Sequence, residues 1–404
     1  MPNENNLDCQ SSRPYRLKNA IQNYPWGTKN QDAFIPELLG IMPEADQAYA
    51  ELWMGVHPNA PSSIVDLEQG PLGLSDWISA NPQKRLSTNN KFLTLPYLFK
   101  VLSAGEALSI QAHPNKQQAE NLHLLDPEHY PDDNHKPEIA IALDHLDALV
   151  GFISDQEFSI LLKTYPELQS LLNLDSDPIE NLKQGVQELF HVWANGETLF
   201  IDTTMQIQQR LSLKDNADES EQLFLDQFEK RGPEDIGLIF LFLLNRIHLG
   251  PGDAVFLAPG VPHAYLKGNI IECMANSDNV VRLGLTDKFC DTGALQDILV
   301  YDGTSDYRID QCRQGHLIEY AAPVSEFRVK SLELGAGETE LFTSRTSLTM
   351  FLLIEGEISL HWAGENDSCT CVLKRGQSFI TPANLSEFNI RARLESKLYF
   401  VEIP

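Results

Sequence analysis

Positive charge is scarce in this chain: 30 Lys and Arg stand against 57 Asp and Glu, a formal net charge of −27. A surface of that sign repels nucleic acid and anionic lipid, so neither is expected as a partner. The six cysteines (Cys9, Cys273, Cys290, Cys312, Cys369 and Cys371) show no disulfide-framework spacing. The opening MPNENNLDCQ has no basic region followed by an apolar run. A reduced, cytoplasmic protein is therefore expected. Long apolar runs are missing too. The longest, Ile236 to Leu244 (IGLIFLFLL), is flanked by Glu234, Asp235 and Arg246. It falls far short of the ~20 residues a spanning helix needs and predicts a buried helix.

What the chain does have is length. Its 404 residues, 42% of them hydrophobic, predict two or three domains with substantial cores. Residues 15 to 150 are rich in short strand-like pieces divided by Pro, Gly and Asn, among them Pro96 to Leu102 and Glu138 to Leu143. In the second piece, alternation puts Glu138, Ala140 and Ala142 on one face, where small residues leave room for the carboxylate. From about 154 to 248 the texture becomes helical, with acidic breaks at 173–178 and 214–221. Strand texture resumes at Gly252 to Leu257 and fills 322–404. The pieces Gly252 to His263 and Gly376 to Pro382 form a weak internal repeat, and the second copy lacks the histidine.

The segment Gln111-Ala112-His113-Pro114-Asn115-Lys116 carries the clearest chemistry. A strand over 107–113 would place Gln111 and His113 on one face. Joined by Glu138 and His263, they offer imidazole, carboxylate and amide oxygen but no thiolate. Such an N/O set suits Zn²⁺ or a similar cation, with an open position for water or substrate.

The stretch Gly252-Asp253, then Ala258-Pro259-Gly260 and Pro262-His263, is similar to the second signature of the cupin superfamily. Other blocks narrow the resemblance: Ser109-Ile110-Gln111-Ala112-His113-Pro114, His135-Lys136-Pro137-Glu138, Asn279-Val280-Val281-Arg282-Leu283-Gly284, Tyr24-Pro25-Trp26-Gly27, and Glu51 to Pro58. Together they make the chain resemble the type I mannose-6-phosphate isomerases, over nearly its whole length. The resemblance implies a mainly β fold with an α-helical insertion and two cupin-like jelly rolls. The implied division is a catalytic jelly roll from 1–153 and 249–321, a helical insertion over 154–248, and a C-terminal jelly roll without metal ligands over 322–404. It implies one Zn²⁺ per chain on Gln111, His113, Glu138 and His263, an essential arginine at Arg282, and site roles for Lys100, Ser109, His135, Lys136, Glu272, Asp278 and Lys288. A small phosphosugar is the implied substrate and a monomer the expected state. The reaction would connect fructose 6-phosphate with mannose utilisation and activated mannose. The helical insertion and C-terminal jelly roll carry no comparable signature and are expected to be architectural.

An aldose-to-ketose conversion needs an open-chain sugar, a base near C2 and stabilisation of the enediolate oxygen. Arg282, charged at any working pH, suits the last task. His135 and Lys136 lead as the base, with Glu272 and Asp278 as carboxylate alternatives. Ser109, Lys100 and Lys288 are the expected phosphate ligands. The remaining histidines His123, His129, His145 and His191, with His57, are expected to be solvated or structural, and Trp26, Trp53 and Trp77 to be packing. Two other classes are weighed: a two-cupin iron dioxygenase, against which Gln111 and the lysines count, and a non-catalytic sugar-binding bicupin, which has no use for Arg282.

Overall fold

The computed structural model describes residues 12–88, 92–172, 182–303, 306–343, 346–364 and 368–404. Cys9, the opening decapeptide and the expected acidic break at 173–178 lie outside the described residues.

Side-chain alternation along three neighbouring strands decides what faces what. In Tyr97–Ala104 the residues Tyr97, Phe99 and Val101 enter a core shared with Met350, Leu352, Ile380, Tyr399 and Val401. Leu98, Lys100 and Leu102 must then face the other way. The strand His263–Ala275 pairs with it antiparallel, Lys100 opposite Glu272. Ile271 and Cys273 join the same core. On the far side Glu138–Ala142 pairs with that strand, Ala140 opposite Glu272. Its isoleucines enter the core, while Ala140 and Ala142 line a second cluster with Val150 and Val255. Glu138 thus points into the space the alanines leave, as the alternation predicts.

His263–Ala275 also changes partners along its length. Its first part pairs with Leu146–Phe152, and His263 itself with Gln111. From Gly268 onward it pairs with Tyr97–Ala104. One strand therefore serves two sheet faces and turns the corner between them. Gly268 sits at the changeover with φ +130°, and a Cβ there would collide with the His145 carbonyl oxygen.

The second face is covered by helices. Ile110, Ala112, Ala264, Val281 and Leu283 pack outward against a helical core that includes Phe158, Phe190 and Phe240. Gln111, His263 and Arg282, their sequence neighbours, are left pointing inward. The strand carrying Gln111 and Ala112 is Ile110–Ala112, shorter than the expected 107–113, and His113 follows its end.

The helix Asp155–Thr164 opens on a capping box. Ser154 accepts the Glu157 N–H at 3.2 Å, and Glu157 in turn accepts the Ser154 N–H at 2.8 Å. The run expected as a buried helix forms Gly237–Leu243, every residue buried. The far boundary differs from the expected 248. Leu244–Leu249 is a strand paired with Leu146–Phe152, because the apolar run ends with Leu244 opposite Phe152.

Strand pairing also departs from the expected division at 321. Tyr15–Lys18 pairs with Ser378–Thr381 and Ser63–Ile64. Gln311–Gln314 and Leu317–Tyr320 extend the same sheet through Arg328–Leu334. Tyr15 and Leu17 bury their side chains in the core of Met350 and Ile380, which fixes them to the C-terminal sheet. That nine-stranded sheet also packs on a four-stranded one through Phe351, Phe379, Phe388 and Phe400. The two copies of the repeat become the strands Ala254–Leu257 and Ser378–Thr381. Among the described residues no helix is long and apolar enough to cross a membrane.

The corner generates a stability prediction. Gly268→Ala should destabilise the protein by about 2–4 kcal/mol, since left-handed strain and a backbone clash act together. Denaturant unfolding of the two proteins measures this, and a loss below about 0.5 kcal/mol would contradict the account of the corner.

Candidate active site

The inward residues of the two faces meet around His113, Glu138 and His263. One ligand atom from each lies within 4.8 Å of the others, and all three residues are buried. The Nε2 atoms of His113 and His263 each stand 3.4 Å from a different Glu138 oxygen. These separations are too long for good hydrogen bonds, and His113 Nε2 and Glu138 Oε2 are without a hydrogen-bond partner among the described residues. Buried polar atoms left in that state demand another explanation.

The opposite ring nitrogens are satisfied. His113 Nδ1 donates to the Asn279 carbonyl at 2.8 Å, and His263 Nδ1 to the Val261 carbonyl at 3.0 Å. Each bond fixes the tautomer that leaves Nε2 with a free lone pair, the form a metal ligand requires. Gln111 completes the group. Its amide head lies 3.4 Å from His263 Nε2, on the strand between His263 and Arg282. The amide can turn its oxygen to the same point. Burial pushes the His113 pKa down to about 4, with Lys136 and His263 adding to the effect against the pull of Glu138. Burial also raises the Glu138 carboxyl, but the Lys136 charge and the neighbouring His113 and His263 rings overcome it and hold the group well below the usual range. A neutral imidazole and an ionised carboxylate result. These residues fit a borderline divalent cation such as Zn²⁺.

Beside this group runs a buried charge network. Lys100 Nζ lies 2.6 Å from Glu272 Oε2 and 3.2 Å from Glu51 Oε1. Tyr265 OH donates to Glu272 at 3.0 Å, and Trp53 Nε1 to Glu51 at 2.6 Å. Lys136 Nζ stands 3.2 Å from Glu138 Oε1. Burial opposes the Lys100 charge, and Glu272 with Glu51 more than restores it. Burial raises the Glu272 carboxyl; Lys100 pulls it back, while Glu138 and Glu51 push it up again.

A cavity of about 560 Å³ opens over both groups, lined by Ser109, Gln111, Lys136, Glu138, Glu272, Arg282 and Lys288 among others. The Arg282 guanidinium makes no hydrogen bond or ion pair with a described residue, and burial draws its pKa below the ordinary value.

Two expectations change here. His135 does not line the cavity; its Nε2 is engaged by Glu326 Oε1 at 2.9 Å. Asp278 does not line it either, and its carboxylate lies 3.1 Å from His57 Nε2, which holds its pKa down. Lys100 lines the cavity between the carboxylates of Glu51 and Glu272. His57 packs edge-on against Trp53. Trp53 also bonds to Glu51, and Trp26 lines the cavity.

Other cavity residues escaped the sequence reading. Tyr265 follows His263 by two along one strand, so alternation could have found it. Glu51 lay in a noticed block without a role. Lys230 and Arg231, from the helical region, carry no local signal, yet they line the cavity beside Asp287 and Lys288. The helical region thus contributes side chains to the cavity wall.

A β interior carrying an imidazole and carboxylate metal set beneath a polar cavity defines a metal-dependent cupin-like enzyme. Residues 15–154 match the family described as phosphomannose isomerase type I, catalytic domain. The chain is 38% identical over 379 residues to mannose-6-phosphate isomerase of Rattus norvegicus, covering 86% of this chain and 88% of that protein. It is 32% identical over 422 residues to mannose-6-phosphate isomerase 1 of Arabidopsis thaliana, covering 98% and 95%. A solved point mutant of phosphomannose isomerase from Salmonella typhimurium superposes with a TM-score of 0.86 at 30% identity, over 96% of this chain and 99% of that one. A mannose 6-phosphate isomerase bound with zinc and yttrium gives 0.84 at 30% identity over the same shares. The chain belongs to the type I mannose-6-phosphate isomerase family. The dioxygenase and the non-catalytic bicupin are set aside with that result.

The depressed His113 pKa has a measurable consequence. In metal-free protein an unfolded imidazole binds a proton below its ordinary value of 6.5, and the buried ring binds it only below about 4. Folding stability should therefore fall as pH drops from about 6.5 towards 4, by roughly 3 kcal/mol for this group, and level off below. His113→Gln should flatten that slope in denaturation experiments across the window; an unchanged slope would refute the assignment.

Proposed function

We propose that this chain interconverts mannose 6-phosphate and fructose 6-phosphate with one Zn²⁺ held by Gln111, His113, Glu138 and His263. What carries the reading is the pair of ligand atoms on His113 and Glu138 left unpartnered among the described residues, beside a cavity whose Arg282 has no counterion among them. When bound, the ion supplies a Lewis acid for the sugar's oxygens.

The remaining work falls to side chains. In the aldose-to-ketose direction Glu272 takes the proton from C2, the C–H electron pair moves into the C1–C2 bond and the C1=O π pair moves onto O1. In the second half O2 loses its proton and forms C2=O as the C1–C2 π pair takes a proton at C1. The same carboxyl returns the proton to C1. Its burial and neighbouring carboxylates favour proton acceptance, while Lys100 and Tyr265 hold it in place. Lys136 exchanges a proton between O1 and O2. Arg282 faces the oxygen on which charge develops, and a desolvated guanidinium acts strongly there. Ser109 and Lys288, joined by Arg231 and Lys230 from the helical region, receive the phosphate at the cavity wall. Lys100 keeps Glu51 and Glu272 compensated. The proposal includes a catalytic unit formed by the strand regions on either side of the helical insertion, and a C-terminal jelly roll without metal. It also includes a monomeric, cytoplasmic protein with no nucleic-acid or membrane partner, supported by the charge of −27 and the sparse cysteines.

A coupled assay with mannose 6-phosphate should show turnover that chelation removes and added Zn²⁺ restores; turnover indifferent to chelation would sink the proposal. Arg282→Ala should lower kcat by roughly 10²–10³ with zinc content unchanged. Glu272→Gln should lower it by roughly 10²–10⁴ and stop exchange of the C2 hydrogen with deuterated solvent. If Lys136→Met stops that exchange and Glu272→Gln leaves it, Lys136 is the base.

A further inference from the structure

The turn after Arg282 is held from outside the sheet. The strand Val281–Gly284 slips register between Arg282 and Gly284, and Leu285 then takes φ +52°, a left-handed conformation unfavourable for leucine. A single buried carboxylate sustains it. Asp235, just before the helix Gly237–Leu243, accepts the Leu285 N–H at 2.8 Å and the Thr286 N–H at 3.1 Å. It also accepts the Gly237 N–H at 2.8 Å, so the start of that helix and the turn share one acceptor. The two backbones touch so closely that a Cβ on Gly237 or Gly284 would strike the other segment. Arg231 stands 3.9 Å from both Asp235 and Asp287, on the same turn. Three cavity residues, Leu285, Thr286 and Asp287, precede Lys288 directly.

We propose that Asp235 is a positioning residue of the isomerase: by clamping the 285–286 turn to the helical region it sets where Lys288 and Arg282 meet the phosphosugar. The inference rests on the roles proposed above for those two residues. Asp235 touches no substrate and acts only through the turn. Loss of the carboxylate takes the acceptor from the Leu285, Thr286 and Gly237 N–H groups and frees a strained leucine to relax, which moves the cations at either end of the turn.

The test uses the zinc-loaded enzyme with Asp235→Asn and Asp235→Ala. In both, KM for mannose 6-phosphate and the inhibition constant for inorganic phosphate should rise together, by about fivefold or more, with zinc content unchanged. The Asp235→Asn amide keeps one acceptor oxygen, so its effect should be the smaller. Combined with Lys288→Ala, the Asp235 substitution should add little further loss, because both act through one element. Phosphate inhibition within twofold of the parent in both Asp235 variants, or independent effects in the double variant, would overturn the clamp. Should Asp235→Ala fail to fold, Asp235→Asn carries the same comparison. If Lys288→Ala itself leaves phosphate inhibition unchanged, the phosphate assignment fails instead, which separates the two results.

Discussion

Burial of charge is the constraint on which this structure depends. Lys100, Lys136, Glu51, Glu138 and Glu272 are all nearly inaccessible to water, and each ion removed from water costs several kcal/mol before compensation. The fold meets that cost by register. Antiparallel pairing sets Lys100 opposite Glu272, alternation brings Glu51 and Glu138 to the same inner face, and Lys136 approaches from just before the Glu138 strand. Each of these five has an opposite charge within 3.2 Å, yet among the described residues His113 Nε2 and Glu138 Oε2 keep unused capacity. A fully satisfied interior would have nothing to offer a metal or a sugar.

Much of this was legible in the sequence because it is written in periods of two. Glu138 with Ala140 and Ala142 needed only alternation to be placed on a common face. The start of the helical region was legible as a change of period at Ser154, where a capping box fixes it. The boundaries at 248 and 321 were not, because strand membership depends on distant partners. Leu244–Leu249 reads as the tail of a helical run until Leu146–Phe152 is seen beside it, and Tyr15–Lys18 reads as the start of the catalytic region until Ser378–Thr381 is.

The same limit explains the site residues whose places changed. His135 sits next to Lys136 in sequence, yet consecutive residues point to opposite sides. One reaches Glu138 and the other Glu326, near the start of the C-terminal segment. Nearness in sequence to a ligand thus counted for less than parity. Lys230 and Arg231 show the converse, for they lie in a helix with no motif and reach the cavity through tertiary packing alone.

The shared strand His263–Ala275 also governs when the site comes into being. Its partners include residues 97–104, 110–112, 138–142 and 146–152, all made long before it, with the whole helical region intervening. During synthesis the early strands emerge without the neighbour that separates and aligns them, and their apolar edges must wait. Closing so long a loop becomes favourable only once the helices have shortened the path by packing on Ile110, Ala112 and Leu149. Assembly of the group formed by Gln111, His113, Glu138 and His263 is therefore a late event, and a chain stopped before residue 263 would carry three of its four members with no geometry to hold them.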